Sequence, residues 1–316
     1  MIILATDGFS QTGKVLLEQA GHKVMCVNVA ANQLSDYINS NNIDGILVKE
    51  ATKINKELLD KCPNLKYIGN LEPTSHHIDV KAAQNNTIQV LQPIDAFTNS
   101  VAELTIAHLL SGARHLKDSN REMPLEGDQN FNALKRSFSG GIELEGKTLG
   151  LVGFGKIGQQ VAKKAIGLGM KIVFYDKDLT EIDLKLNFFD QQQLSFNLSA
   201  STFEEVLSNS DFVSLHVSDQ NKPIIGEKEL SLMKSDAGLI NTSSSKAIDE
   251  VALLEALNSN ILKFAALDVF NDEPQPAVQL LMHPKISMSP RLGIATQDTQ
   301  DRIAEELAHQ ILSLKI

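Results

Sequence analysis

LGLVGFGKIGQQVAKKAIGLGMKIVFYD, residues Leu149 to Asp176, decides how the rest of this 316-residue chain is read. The apolar run Leu149–Val152 suits a buried parallel strand. Gly153, Gly155 and Gly158 follow at G-x-G-x-x-G spacing, and Ile157, Val161, Ala165 and Leu168 then recur on one helical face. A second apolar strand, Lys171–Tyr175, ends at Asp176. Each glycine has its own physical reason to be there. Gly153 turns the chain tightly, Gly155 lets backbone approach a diphosphate, and Gly158 lets helix and strand pack closely. The N–H groups that open the helix face the diphosphate, with Lys156 and Ile157 in its first turn. The Asp176 carboxylate can accept hydrogen bonds from a ribose and would repel a 2′-phosphate, so the expected cofactor is NAD rather than NADP. A glycine-rich turn in an ordinary βαβ unit would not need an acid at the strand end.

The composition is that of a globular protein, 42% hydrophobic and 22% charged, and the net charge of −10 argues against nucleic acid or an anionic membrane as partner. Cys26 and Cys62 both lie in apolar patterns, as reduced buried thiols would. The start MIILATDGFS has no basic region ahead of an apolar core, and no apolar stretch reaches the roughly 20 residues of a membrane span. A soluble, cytoplasmic protein without a metal site is expected.

Working outward, residues 1–95 alternate short apolar runs with amphipathic segments, as in a parallel sheet covered by helices. A helix is expected from Val101 to about Lys117, with His108 as a packed histidine, and a loop from Asp118 to Gly141. Beyond Asp176 the βα alternation resumes, with strands at Phe212–His216, Gly238–Asn241 and Phe264–Val269. Ligands bind beyond the carboxyl ends of such strands. An amphipathic helix, Gln297–Leu314, closes the chain and could return to the first domain.

SVAELTIAHLLSGAR (100–114), LEGKTLGLVGFGKIG (144–158), SLHV (214–217), LMKSDAGLINTS (232–243), AIDEVALLEAL (247–257) and AALDVFNDEP (265–274) resemble the D-isomer-specific 2-hydroxyacid dehydrogenases nearly end to end. The resemblance implies an α/β fold with a Rossmann NAD-binding domain, 97–289, inserted into a flavodoxin-like substrate domain, 1–96 plus 290–316, with the active site in the cleft. It implies a homodimer formed through the cofactor domains and hydride transfer between NAD and the C2 carbon of a 2-hydroxy acid. It places Thr242, Ser243 and Asp268 at the cofactor, with His216 packed beside it. Glu273 matches the acid that orients the family's catalytic His.

The same resemblance exposes departures. The position of the substrate-anchoring Arg falls on Ser244, and that of the catalytic His on Arg291. Where a glycine-rich turn usually offers N–H groups to a carboxylate stands Leu71-Glu72-Pro73-Thr74, and Phe97 stands where an Asn is common. Pro73 has no N–H, and Glu72 would repel a carboxylate. Arg291 holds its proton to a pKa above ~12, so it can bind an anion or pair with Glu273 but cannot shuttle protons. His76, His77 and Lys246 are candidate proton carriers, although surface roles suit all three. Two functions follow: an NAD-dependent oxidoreductase acting at a CH–OH, C=O or imine carbon through a rebuilt substrate site, or a catalytically silent NAD(H)-binding sensor or scaffold.

Overall fold

The computed structural model describes residues 1–218 and 222–314. The chain begins with β1 (Ile2–Ala5), α1 (Gln11–Gln19), β2 (Lys23–Cys26), α2 (Leu34–Ser40), β3 (Gly45–Val48), α3 (Lys56–Lys61), β4 (Tyr67–Asn70), α4 (Val80–Asn85) and β5 (Gln89–Leu91). Next come α5 (Thr98–Ala113), α6 (Leu116–Ser137), β6 (Thr148–Val152), α7 (Lys156–Gly167), β7 (Lys171–Tyr175), β8 (Glu181–Asn187) and β9 (Gln193–Ser199). It continues through α8 (Phe203–Asn209), β10 (Phe212–Leu215), α9 (Glu227–Leu232), β11 (Gly238–Asn241), α10 (Glu250–Asn258), β12 (Phe264–Leu267), α11 (Val278–Leu281), β13 (Ile286–Met288) and α12 (Gln297–Leu312).

These elements divide into two compact units, Met1–Phe97 with Ile294–Ile316, and Thr98–Gly293. In the first, five parallel strands run in the order β2-β1-β3-β4-β5, the flavodoxin-like arrangement. Its core joins Leu4, Ile46, Val48 and Ile68 of the sheet to Leu34, Ile38 and Leu59 of the covering helices. The final helix belongs to this unit and buries Ile303, Ala304, Leu307, Ala308 and Ile311. Polar contacts repeat the docking: Asp301 accepts from Ser10 and Thr12, Lys49 Nζ donates to Gln300 (2.9 Å), and the Ala96 N–H donates to Glu306 (3.1 Å).

The second unit is built on a six-stranded parallel sheet, β13-β12-β11-β10-β6-β7. Alternate residues of its strands enter different cores, as the two-residue period of a strand requires. Val213, Leu215, Leu239, Ala265 and Leu267 join one, while Phe212, Ile240, Phe264 and Ala266 join the other. The strand order turns back between β6 and β10, where a doubly wound sheet opens its binding crevice.

The structure corrects several expectations. Residues 118–141 are not a loop: α6 occupies most of them, with Pro124 inside and a break from helical geometry at Asn130. Of its residues only Leu134 is buried, while Leu116, Leu125 and Phe131 are exposed, so no inward apolar stripe marks it as helical. The antiparallel hairpin β8–β9 has no counterpart among those expectations. The second unit runs to Gly293, where Asp268 accepts from the N–H groups of Leu292 and Gly293. Cys26 is exposed and only Cys62 is buried, and Leu168 ends α7 outside its buried face. Among the described residues, no helix is long and apolar enough to cross a membrane.

Candidate active site

At the switch point the glycine loop does what its spacing predicts. Gly153 has φ +89°, and a Cβ built on it would lie 2.2 Å from the His216 carbonyl oxygen. A Cβ on Gly158 would lie 2.4 Å from the Gly153 oxygen, so both positions require the absence of a side chain. Gly155, just before α7, differs: a Cβ there would meet nothing within 4 Å, leaving open space above the helix start. Between the glycines Phe154 turns inward, 1% exposed, and stacks on Phe174 with ring centroids 4.0 Å apart. That anchor, which the glycine spacing does not reveal, pins the loop to the sheet.

Asp176 stands beside this loop. Its Oδ2 accepts from the Phe154 N–H (2.7 Å) and its Oδ1 from the N–H groups of Asp178 (2.9 Å) and Leu179 (3.2 Å). Burial works to raise its pKa, yet those backbone donors hold it below the usual carboxylate value, keeping it ionised near neutrality. A cavity of about 420 Å³ lies between Asp176 and Gly155, walled by Tyr175, Phe203, Val217 and Ile224. His216 also lines it; its Nε2 lies 2.9 Å from Ser214 Oγ, and its Nδ1 is buried without a hydrogen-bond partner among the described residues. Burial lowers its pKa to about 3, so the ring is neutral. An apolar wall, an ionised acid and an open helix start fit a dinucleotide with a free 2′-hydroxyl.

Farther along the same strand tips, the Asn241 side chain ties the turn after β11, donating to the Ser244 carbonyl (2.8 Å) and accepting from the Ser243 N–H (3.1 Å). Thr242 pairs with Thr105 through their hydroxyls (2.8 Å), Ser244 is buried, and Lys246 is exposed. Asp268, 3% exposed at the end of β12, has both carboxylate oxygens engaged. Oδ1 accepts from Ser289 Oγ (2.5 Å) and the Leu292 N–H (2.7 Å), and Oδ2 from the Gly293 N–H (2.9 Å). Burial raises its pKa in spite of these donors. Ser289 Oγ also lies 2.8 Å from His108 Nε2, and His108 Nδ1 lies 3.2 Å from Ser287 Oγ. With Ser289 donating to Asp268, the ring must donate from Nε2, and burial lowers the pKa of His108, favouring the neutral ring.

This buried chain of hydrogen bonds shapes the turn that carries Arg291. The Arg291 N–H donates to the Asp268 carbonyl (3.0 Å), and the residue sits at φ +53°, left-handed and uncommon for a bulky side chain. Its Nε donates to Glu273 Oε2, while Glu273 Oε1 accepts from the Phe270 N–H (2.8 Å). The pair is partly buried.

At the strand tips of the first unit, the Asn70 side chain closes the altered loop on itself. It accepts from the Glu72 N–H (3.0 Å) and donates to the Thr74 carbonyl (2.9 Å). Gln92 Nε2, beyond β5, donates to the carbonyls of Glu72 (3.2 Å) and Pro73 (2.6 Å). The loop thus commits its Glu72 N–H internally, and Pro73 after it has none. Thr74 is partly exposed, His76 is exposed, His77 is buried, and Phe97 is a packed side chain with 2% exposure.

Residues 106–293 match the family model of the D-isomer specific 2-hydroxyacid dehydrogenase, NAD binding domain. The chain belongs to the D-isomer specific 2-hydroxyacid dehydrogenases. It is 33% identical over 315 residues to D-3-phosphoglycerate dehydrogenase of Methanocaldococcus jannaschii, covering 98% of this chain but only 56% of that one. It is 34% identical over 283 residues to glyoxylate reductase of Thermococcus litoralis, covering 86% and 80%. Among solved structures it resembles the TT0316 protein of Thermus thermophilus (TM-score 0.85, 28% identity, 99% and 96% covered). It also resembles an acyclic imino acid reductase solved with NADPH and D-Arg (TM-score 0.80, 26% identity, 99% and 96% covered).

The glycine loop, the open start of α7 and Asp176 thus line one cavity of the second unit, while Glu273 and Arg291 follow β12 and β13 of the same unit. Arg291 and Glu273 form an ion pair. An arginine so placed can neutralise an anion or steady a developing oxyanion. It cannot lend a proton.

Proposed function

We propose that this chain is an NAD-dependent oxidoreductase that transfers hydride at a CH–OH, C=O or imine carbon, with a substrate site rebuilt around Ser244 and Arg291. When bound, NAD(H) supplies or accepts the hydride with its electron pair. Gly153, Gly155, Lys156, Ile157, Gly158, Asp176, His216, Thr242, Ser243 and Asp268 are the residues proposed to hold it. Glu72, Thr74 and Phe97 bound the substrate side in this reading, Phe97 as a packed side chain.

The observation that carries the proposal is the Arg291–Glu273 pair in the same unit as the glycine loop and Asp176. The carboxylate that would orient a histidine orients a guanidinium, so the frame is kept and the acid exchanged. A related fold solved as an imino acid reductase supports including C=N among the reacting groups. The same ion pair favours the second reading, a silent NAD(H) sensor, because it occupies both side chains.

Calorimetry with NADH and NADPH tests the cofactor assignment. NADH should bind more tightly, and Asp176→Ala should narrow the gap by removing the carboxylate's repulsion of a 2′-phosphate. Tighter binding of NADPH to the unaltered protein would refute the role given to Asp176. Screening NADH oxidation against aldehydes, ketones and imines separates enzyme from sensor: NADH bound without turnover of any of them would leave the sensor reading.

We further infer a homodimer formed through the second unit and working in the cytoplasm. Supporting the first is α6, which exposes Leu116, Met123, Leu125 and Phe131, an apolar surface that a second copy could cover. Supporting the second are two unbridged cysteines, one of them exposed. Sedimentation should show a dimer that Leu125→Glu with Phe131→Glu converts to monomer; a monomeric parent protein would overturn the assignment. Cell fractionation tests the location.

A further inference from the structure

Among the described residues β8 pairs only with β9, so the hairpin is a two-stranded sheet of its own. Its apolar face is already used: Leu184 and Leu186 are buried in the core of the second unit, with Ile182, Phe196 and Leu198 packed against it. β9 borders the large sheet, and the Ser201 N–H just beyond it donates to the Phe174 carbonyl of β7 (2.8 Å). That leaves β8 as the outer edge.

Two hydrogen bonds fix which backbone groups face outward. The Ala200 N–H donates to the Thr180 carbonyl (2.8 Å), and the Phe188 N–H to the Gln192 carbonyl (2.9 Å). Bonded and non-bonded pairs alternate along an antiparallel ladder, so in this register the even-numbered residues of β8 bond to β9. Glu181, Asp183, Lys185 and Asn187 therefore turn their N–H and C=O groups away from β9, and all four residues are exposed.

We propose that β8 is a self-recognition edge, pairing antiparallel with β8 of a second copy of this chain about a two-fold axis at Leu184. Charge selects the partner and the register together. With the axis at Leu184, Asp183 of each copy stands opposite Lys185 of the other, and Glu181 opposite Asn187. An axis at Asp183 would set two aspartates face to face, and one at Lys185 two lysines, which like-charge repulsion rejects. Within their own hairpin these residues face no countercharge: Asn197 is opposite Asp183 and Ser195 opposite Lys185. Asp183 accepts there only a long bond from Ser195 Oγ (3.4 Å). Charges usually keep a strand edge from pairing. Here their signs are ordered so that the edge repels other registers and complements itself.

The apolar side chains agree with this register. Ile182 meets Leu186 of the other copy across the axis, and Leu184 meets its own counterpart. The turn of one hairpin also reaches the base of the other, giving Phe188 and the fully exposed Phe189 cover at Leu179. The surface is separate from α6, and the inference does not depend on the reaction assigned above. A contact of two strands is small beside stable interfaces, so it adds to the α6 dimer as concentration rises. The larger assembly closes where the two-fold axes meet and runs on as a chain where they do not.

Sedimentation of the full chain over a range of concentrations tests the pairing by charge exchange. The parent protein should associate beyond the dimer as concentration rises. Asp183→Lys or Lys185→Asp alone sets like charges opposite one another on both sides of the axis and should weaken that step ~10-fold or more. Asp183→Lys combined with Lys185→Asp restores opposite signs and should return it to the parent value. Repeating the series in Leu125→Glu with Phe131→Glu separates the surfaces, because the hairpin contact should survive there. A second measurement reads the register directly in a Cys26→Ser background, which removes the exposed thiol. Mixing Asp183→Cys with Lys185→Cys protein should give disulfide-linked pairs, since directly opposite bonded residues lie about 5.5 Å apart at Cα. Either protein alone brings its cysteines only to a diagonal of about 7–8 Å and should stay unlinked. Single reversals that associate like the parent, or a double exchange no better than either, would overturn the pairing. So would a parent protein with no association beyond the dimer, or cysteine variants that link as well alone as mixed.

Discussion

Ser244→Arg combined with Arg291→His should raise the reduction of hydroxypyruvate and glyoxylate from near absence to measurable turnover. At position 244 the unaltered protein offers a serine, which cannot form a charge-assisted bidentate anchor for a 2-oxo acid. At position 291 it also lacks a proton donor, a loss that typically costs ~10²–10⁴-fold in rate. The frame around position 291 is ready for a histidine. Glu273 Oε1 is steadied by the Phe270 N–H, which leaves Oε2 for a ring N–H once the guanidinium is gone. The left-handed backbone at φ +53° suits histidine better than arginine. The Asp268 contacts that shape the turn come from backbone and Ser289, so the substitution leaves them in place. Position 244 is tighter, since Ser244 is 2% exposed, and an arginine there must reach outward past the short turn Ser245–Ala247. Recovery should therefore be partial, and either single change should give much less, because groups that act as a unit have non-additive effects. Steady-state kinetics on the folded, NADH-binding double variant decide the matter: rates no higher than those of the parent would show that Ser244 and Arg291 do not occupy the family's anchor and acid positions.

Gly155→Val should abolish NADH binding while leaving the fold intact, whereas Gly158→Val should lose both. The distinction follows from what each new side chain meets. At Gly155 the space is open, so the valine costs the apo protein little but fills the place where a diphosphate would approach. At Gly158 the Cβ would sit 2.4 Å from a backbone oxygen, which cannot move without shifting the loop. Overpacking of that kind costs roughly 1–3 kcal/mol or more before any ligand is considered. Melting curves and NADH fluorescence titrations should separate the two. A Gly155→Val protein that still binds NADH normally would mean the dinucleotide does not pass over the start of α7.

The parts of this molecule that are legible in its sequence are those whose chemistry is local. The glycine triad, the strand before it and Asp176 lie within one βαβ unit, so spacing alone conveys their geometry. The hairpin Glu181–Ser199 is also written locally, since Ile182, Leu184 and Leu186 alternate with Glu181, Asp183 and Lys185. The expectation of continued βα units masks that two-residue period. Helix α6 cannot be read by its core face, because most of its apolar side chains point outward. The polar networks are invisible for a different reason. His108 and Ser289 are separated by 181 positions, and Glu50 and His76 by 26, and only strand order brings them within hydrogen-bond reach. Single residues draw attention in the sequence; their partners require the sheets.

The docking of α12 on the first unit has a consequence for the timing of synthesis. A ribosome makes the sheet β1–β5 before Thr98–Gly293, yet Asp301, Glu306 and the apolar face of α12 that complete it follow that whole unit. At about 5–20 residues per second, the first 97 residues wait on the order of ten to forty seconds for their final helix. Thr98–Gly293 is continuous in the chain and can fold as soon as it clears the exit tunnel. The nascent chain therefore carries an uncovered apolar surface on its first unit through that interval, and that is where a chaperone would be needed.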